Sequence, residues 1–293
     1  MGEAADDDIE TWLSAIREHV LRNAPQLLPI LEIYEGEARF GRRYIGPELS
    51  RLHEHARVLE VGAGCLLLSC QLVREGFLVV ALEPSGAGFS HFDRLRELVL
   101  EKAHEHGCVP DMLDRRAEEL SSTDCFDFAF SVNVMEHVDD VMAVMANVGR
   151  SLKPGSSYRF TCANYLFPYE PHFNIPTVLS KNLTLKIFRS RIEGSRAMED
   201  PNGVWKSLNW ITVPQVRGIV TRLPGLEIEF NSRILVAALE RLGSDPAFAL
   251  RRSPFVRTIV AALLKLRLHR LTRFVPPALQ PLMDCTLVRT GTS

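Results

Sequence analysis

Two glycines flanked by two acids hold the clearest chemistry in this 293-residue chain. The run Val58-Leu59-Glu60-Val61 empties into Gly62-Ala63-Gly64. A second apolar run, Phe77–Leu82, ends on Glu83 and Pro84, with Glu83 nineteen residues after Gly64. A strand, a glycine turn, a helix and a second strand ending in an acid make a nucleoside-binding half-site. The glycines let the backbone come close to a ligand, and the acid can accept from both hydroxyls of a ribose. A nicotinamide fingerprint needs another glycine at 67, where Leu67 stands.

A second reactive set lies further on. Pro168-Tyr169-Glu170-Pro171-His172-Phe173 follows a predicted strand ending at Cys162. In open α/β sheets ligands bind beyond the carboxyl ends of the strands, so this segment falls on the ligand side. His172 titrates in the range needed to take a proton from a hydroxyl or amine, and Glu170 or Tyr169 can position it or the acceptor. Alternatively, the two prolines and the aromatics only fold a lid. His137 is a residue of the ligand floor, a second proton acceptor, or a helix-start residue packed under the sheet. There is no Gly-x-Ser-x-Gly elbow. No His, Asp or Glu cluster has metal-ligand spacing along the chain, and no metal is expected.

These residues need a frame. Val58–Val61 reads as a strand before helix Leu66–Glu75, and Leu78–Leu82 as a strand before helix Phe89–His106. Val109–Leu113 is a weak strand. Strand Phe126–Val132 precedes helix Asp139–Leu152, Lys153-Pro154-Gly155 turns, and strand Ser157–Cys162 follows. Repeated β-turn-α units imply a parallel sheet with helices on both faces. The alternation breaks over 164–209, resumes with helix Val213–Leu223 and strand Leu226–Phe230, breaks again over the helical, basic 231–281, and ends on strand Met283–Thr290. Gaps that long in a compact domain are usually functional. Upstream, Asp7–Arg22 and Ala24–Glu37 read as helices, Pro29 weakening the second. Ile9, Leu13, Ile16, Val20 and Leu21 fall on one face of the first. Arg39–Tyr44 follows as a short basic-aromatic segment. The expected organisation is an N-terminal helical cap over 1–56 and a domain over 57–293 with two lid insertions.

Composition is that of an ordinary soluble globular protein, with 46% hydrophobic and 24% charged residues, and a net charge of −2 gives no global field for nucleic acid. The charge is uneven, however. Five acids stand in the first ten residues (Glu3, Asp6, Asp7, Asp8, Glu10), and seven Lys or Arg with no acid between Arg251 and Met283. Val256, Ile259, Val260, Leu263, Leu264 and Leu268 recur there at near-helical spacing among Arg257, Lys265, Arg267, Arg270 and Arg273. The stretch 251–273 reads as a lid helix with a solvated basic face, a contact for a membrane surface or lipid-linked substrate, or a seat for an anionic ligand or partner. Aromatics are not interleaved as nucleic-acid binding asks. The six cysteines form no Cys-x-x-Cys pair and read as reduced structural thiols. With no apolar leader or spanning run visible, a cytoplasmic location is expected, peripheral membrane contact through 251–273 staying open.

The segment Glu60-Val-Gly-Ala-Gly-Cys-Leu66 resembles motif I of the class I S-adenosylmethionine-dependent methyltransferases. The resemblance continues in order through Val80-Ala-Leu-Glu-Pro-Ser85, Arg115-Arg-Ala-Glu-Glu-Leu120, Phe126-Asp-Phe-Ala-Phe-Ser-Val-Asn-Val-Met-Glu-His-Val138 and Leu152-Lys-Pro-Gly155, over about residues 57–165. The Asn-x-x-Glu-His-Val ending is most similar to the small-molecule branch that includes quinone-biosynthesis methyltransferases. The resemblance implies a Rossmann-like α/β fold with a seven-stranded, mostly parallel sheet whose last strand is antiparallel. It implies S-adenosyl-L-methionine as methyl donor and S-adenosyl-L-homocysteine as product. Gly62, Ala63 and Gly64 would admit the methionine part, and Glu60 would orient its amino group. Glu83, with Pro84 beside it, would take the ribose, and Arg116, Ala117 and Glu118 would sit over the adenine. Asn133, Val134 and His137 would line the floor beside the sulfonium. Two positions depart. Leu66 replaces a frequent third glycine and is expected to hold the start of the helix away from the sheet or the ligand. Arg116 stands where an Asp is frequent and cannot accept from the adenine amino group. The implied activity is direct displacement onto an oxygen or nitrogen of a small-molecule, glycan or lipid-linked acceptor, with His172 as the leading base and His137 second. A non-catalytic scaffold that kept the nucleoside pocket is the alternative.

Overall fold

The computed structural model describes residues 2–84, 90–195 and 200–291, with side chains from residue 9 onward except 90–92. Ser85 and Phe89 lie outside the described residues, and Glu3, Asp6, Asp7 and Asp8 outside the described side chains. Seven strands, β1 (Arg57–Val61), β2 (Leu78–Leu82), β3 (Asp111–Leu113), β4 (Phe126–Val132), β5 (Leu152–Ala163), β6 (Leu226–Phe230) and β7 (Leu282–Arg289), form one sheet in the order β3-β2-β1-β4-β5-β7-β6. The first five run parallel, and β7 lies antiparallel to both β5 and β6. The expected seven-stranded, mostly parallel sheet with an antiparallel last strand is therefore present. Strand order reverses between β1 and β4, and the crevice at such a switch point is where a ligand binds.

The central strands are apolar throughout because both faces are covered. Along β1, Val58 packs with the N-terminal helices while Leu59 and Val61 pack into the opposite core. Alternation then turns Glu60 to the same side as Val58. That side is covered by α1 (Gly2–Asn23), α2 (Leu28–Leu49), α3 (Leu67–Arg74) and α4 (Ser90–Glu105). The other is covered by α5 (Val141–Ser151), by α6 (Lys181–Glu193) and α7 (Pro201–Ser207) of the first insertion, and by α8 (Val213–Val220). The second insertion is α9 (Ile234–Ser244), α10 (Pro246–Leu250) and α11 (Pro254–Lys265), followed by short 3₁₀ turns. No helix among the described residues is long and apolar enough to cross a membrane.

Several expectations change. Leu21 is 55% exposed, and Trp12 takes the buried place on α1, its Nε1 donating to the Leu67 carbonyl at 3.0 Å. The helix expected over Ala24–Glu37 starts later and runs on to Leu49, absorbing Arg39–Tyr44. Pro29 sits in its first turn, where a missing N–H costs nothing. Tyr44 and Glu48 of α2 are tied to the sheet through Arg159 of β5, whose guanidinium pairs with buried Asp284 of β7 at 2.6 Å. Five of the six cysteines are buried and all six are free thiols.

Candidate active site

The glycine turn is shaped by its neighbours at the ends of β1 and β2. The amides of Gly62 and Ala63 both donate to the Leu82 carbonyl, at 2.8 and 3.3 Å. Gly64 N donates to Glu83 Oε2 at 3.0 Å, and Glu83 Oε1 keeps no hydrogen bond among the described residues. Burial raises the Glu83 pKa, with the Gly64 bond pulling the other way. Pro84 follows, partly buried. Glu60 is 8% exposed and accepts a short hydrogen bond from Ser69 Oγ on α3. Burial pushes its carboxyl up to about 8, against Ser69, with Glu83 adding to the rise. Gly62 holds φ +76°, and a Cβ there would run into the Val134 side chain. The turn thus lies close against Val134, and any side chain at 62 would meet both backbone strain and a clash.

Leu66 does not push the helix away. It caps α3 in the left-handed region, φ 69°, with its side chain fully buried. A left-handed L-residue costs roughly 1–2 kcal/mol. Burial of a leucine returns about 1.5–3 kcal/mol. The bulk is packed into the core under α1–α4, which is how the missing glycine is tolerated. Arg116 pairs with Asp139. Ala117 is 8% exposed, and the Glu118 carboxylate accepts from the amides of Asp139 and Asp140 at 2.8 and 3.3 Å. Glu118 therefore braces the loop after β4 with its side chain.

The loops beyond β4 and β5 meet. Asn133 takes φ 56°, donates its amide to the Thr161 carbonyl at 2.8 Å, and reaches Glu37 of α2 with its side chain at 3.3 Å. Asn209 clamps the following turn, donating Nδ2 to the carbonyls of Met135 and Val138, each at 2.8 Å. His137 Nδ1 lies 2.8 Å from Ser207 Oγ. Ser207 donates its one proton to the Val204 carbonyl, so His137 carries its hydrogen on Nδ1 and its lone pair on Nε2. Burial, and then the neighbouring His172 charge, pull His137 down to about 3, so the ring is neutral. On the other loop, buried Glu170 accepts from the amides of His172 and Phe173, from Tyr165 Oη, and from His172 Nδ1 at 2.6 Å. Burial works to lower the His172 pKa, but the Glu170 bond and charge outweigh it and the net shift is upward. The rings of His137 and His172 meet edge to face, centroids 5.1 Å apart. Tyr165 stacks on Trp210 at 5.2 Å, and Trp205 stands edge-on to Trp210 and Phe173.

Contacts in the structure bear on two of the expectations. Tyr169 does not position His172: its hydroxyl donates to Asn174 at 2.6 Å, and Glu170 alone holds the ring. Chain spacing also hid a cluster of the metal-binding kind. One nitrogen each of His137 and His172 and one carboxylate oxygen of Glu136 lie within 4.8 Å of one another. Glu136 was missed because a lone acid beside a histidine carries no spacing signal. The partners Ser207 and Asn209 come from the first insertion, whose sequence has no period.

Comparisons with known proteins bear on the family and the fold. A family model described as a methyltransferase domain matches residues 37–170. The uncharacterized protein Rv1509 of Mycobacterium tuberculosis is 46% identical over 281 residues, spanning 96% of this chain and 95% of that one. A ubiquinone biosynthesis O-methyltransferase of Paramagnetospirillum magneticum is 34% identical over 121 residues, 41% of this chain and 45% of that protein. Among solved structures, a Haemonchus contortus phosphoethanolamine N-methyltransferase 2 complex with S-adenosylhomocysteine superposes with a TM-score of 0.51 at 15% identity, covering 94% of this chain and 61% of the other.

Proposed function

Because the chain belongs to the class I S-adenosylmethionine-dependent methyltransferases, we propose that it methylates an oxygen or nitrogen of a small acceptor held between the 133–138 and 168–175 loops. The enzyme uses S-adenosylmethionine and releases S-adenosylhomocysteine. When bound, this donor supplies a methyl group already activated on a sulfonium. The chain's own contribution is then orientation and, for a hydroxyl acceptor, removal of a proton. The site's donor set fits the group: Glu83 has a free carboxylate oxygen for a ribose diol, and Glu60 has a carboxylate for an ammonium. We assign Gly62, Ala63 and Gly64 to the methionine portion, Glu83 with Pro84 beside it to the ribose, Ala117 and Glu118 to the adenine side, and Asn133, Val134 and His137 to the floor.

The observation that carries the acceptor side is the Glu170–His172 pair. A buried carboxylate holding Nδ1–H makes the ring more basic, and in its unprotonated form Nε2 takes a proton from the acceptor. Tyr169 closes the loop, and the aromatic side chains behind it suit a flat or apolar acceptor. Donor-labelled assays against phenols, reduced quinones, sugars and amines test this. His172→Ala should lower kcat by roughly 10²–10⁴-fold while S-adenosylhomocysteine affinity stays within about twofold. An unchanged kcat removes the base. Cofactor binding without transfer to any acceptor favours the scaffold alternative.

One surface favours a lipid-linked acceptor. Phe255 is 74% exposed, Leu266 65% and Phe274 70%, and Lys265, Arg267, Arg270 and Arg273 in the same stretch are exposed cations. Apolar side chains rimmed by cations suit an anionic membrane surface.

A further inference from the structure

We propose that Arg252 seats an oxyanion, a carboxylate or a phosphate, carried by the methyl acceptor. Arg252 stands in the turn between α10 and α11. Its Nη1 donates to the Pro171 carbonyl at 2.9 Å and to Asn174 Oδ1 at 3.3 Å. The Tyr169 hydroxyl donates to the same Asn174 oxygen. The second insertion thereby sets a guanidinium on the loop that carries His172. Its charge is felt by two residues of that loop. On His172, burial and, more weakly, the Arg252 charge work against the rise that Glu170 produces. On Tyr169, burial raises the pKa and the Arg252 charge opposes it.

That charge is unanswered. Neighbouring arginines each meet an acid: Arg251 pairs with Glu37 at 3.3 Å, and Arg241 with Glu37 and Asp245 at 3.2 and 3.1 Å. Arg252 has no carboxylate at ion-pair distance among the described residues. A carbonyl and an amide oxygen fix its place without neutralising it. Glu170, the acid of this loop, is taken up by His172, Tyr165 and two amides. Other cations nearby add to the field. Lys181 of α6 donates to the carbonyls of Lys206 and Leu208, and Arg191 of α6 also bears on Tyr169. Neither meets a carboxylate among the described residues. A part-buried cation without a counter-charge is costly, and an anion relieves that cost.

The unused donors have the form an oxyanion needs. A guanidinium carries five N–H groups. Pro171 and Asn174 take two, and the Tyr169 oxygen takes at most a third. The rest, on Nε and Nη2, can grip two oxygens of one anion side by side. Phe248 of α10 supports the fork, with its ring centroid 5.1 Å from Arg252 Cζ and 4.1 Å from Arg241 Cζ.

The inference rests on the acceptor-side reading above and narrows its substrate class. The acceptor has two polar ends: one offers the atom to be methylated to His172, and the other, an oxyanion, reaches Arg252. A neutral acceptor leaves the guanidinium unanswered and is disfavoured.

The test is calorimetric titration of the full-length chain saturated with S-adenosylhomocysteine. The probes are benzoate, phenyl phosphate and neutral benzamide. At least one anion should bind saturably and about 10-fold or more tighter than benzamide, and the tighter of the two identifies the oxyanion. Arg252→Gln should abolish that preference and keep S-adenosylhomocysteine affinity within about twofold. Arg252→Lys should keep part of it, having the charge without the fork. No anion preference in a parent chain that binds S-adenosylhomocysteine overturns the proposal, as does a preference that survives in Arg252→Gln. Benzamide weakened as much as the anions in Arg252→Gln also overturns it, since Arg252 would then only brace the loop. Anion binding to the free chain that S-adenosylhomocysteine abolishes would hand the seat to the donor's own carboxylate, again overturning it. An anion preference in a chain that takes up no S-adenosylhomocysteine would keep the seat and reject the methyltransferase pocket.

Discussion

Glu60 is a buried acid that waits for a cation. Its carboxyl is pushed up to about 8 by burial, so near neutrality the free protein holds it protonated. An ammonium placed beside it favours the ionised form. S-Adenosylhomocysteine binding at pH 7 should therefore release about one proton, read from calorimetry in buffers of different ionisation heat. Glu60→Gln should remove that release; release unchanged in the variant would exclude Glu60 as the amino-group partner. The same group sets a stability slope. Between its ordinary value of 4.5 and about 8 the folded chain holds a proton that the unfolded chain does not. Stability from this group falls as pH rises across that window and levels off above it. The acid and the glycines were legible in the sequence because they adjoin each other on one strand end. The Ser69 hydrogen bond that restrains Glu60 was not, since it depends on which face of α3 meets β1.

At the scale of elements, strands were easy to place and helix ends were not. Strands buried on both faces must be apolar runs, and all of the expected ones are present. The start of α3 shows what sequence conceals: a leucine sits where backbone geometry favours glycine. Leu66→Ala keeps the left-handed strain and loses the buried side chain, and should cost about 2–5 kcal/mol in denaturant unfolding. Leu66→Gly relieves roughly 1–2 kcal/mol of that strain and should be the milder substitution. The reverse order would mean that Leu66 is not strained. α2 hid its length behind Gly41, Gly46 and Pro47, helix-unfavourable residues overridden by packing against α1, α3 and the sheet. The meeting of His137 with His172 was illegible for another reason. Their loops leave neighbouring strands, and only the β4–β5 pairing brings them together.

Over the whole molecule, the N-terminal helices and the second insertion pack on one another. Glu37 of α2 gathers Arg241, Arg251 and Asn133 on one carboxylate. Lys265, Arg267, Arg270 and Arg273 of that insertion are exposed, as are Phe255, Leu266 and Phe274. Replacing Arg257, Lys265, Arg267, Arg270 and Arg273 with Gln should abolish sedimentation with anionic liposomes and leave folding intact. Equal sedimentation of both proteins, or none by the parent chain, would reject the membrane face.

The pocket that defines the family can be tested with one titration, S-adenosylhomocysteine against the parent chain and Glu83→Ala. The parent should bind one equivalent. The variant should bind about 10–100-fold more weakly, the loss of one or two hydrogen bonds to a charged acceptor, with its circular dichroism unchanged. Equal affinity in the two proteins, or no saturable binding by the parent, would contradict the assignment of the glycine turn and Glu83 to the methyl donor.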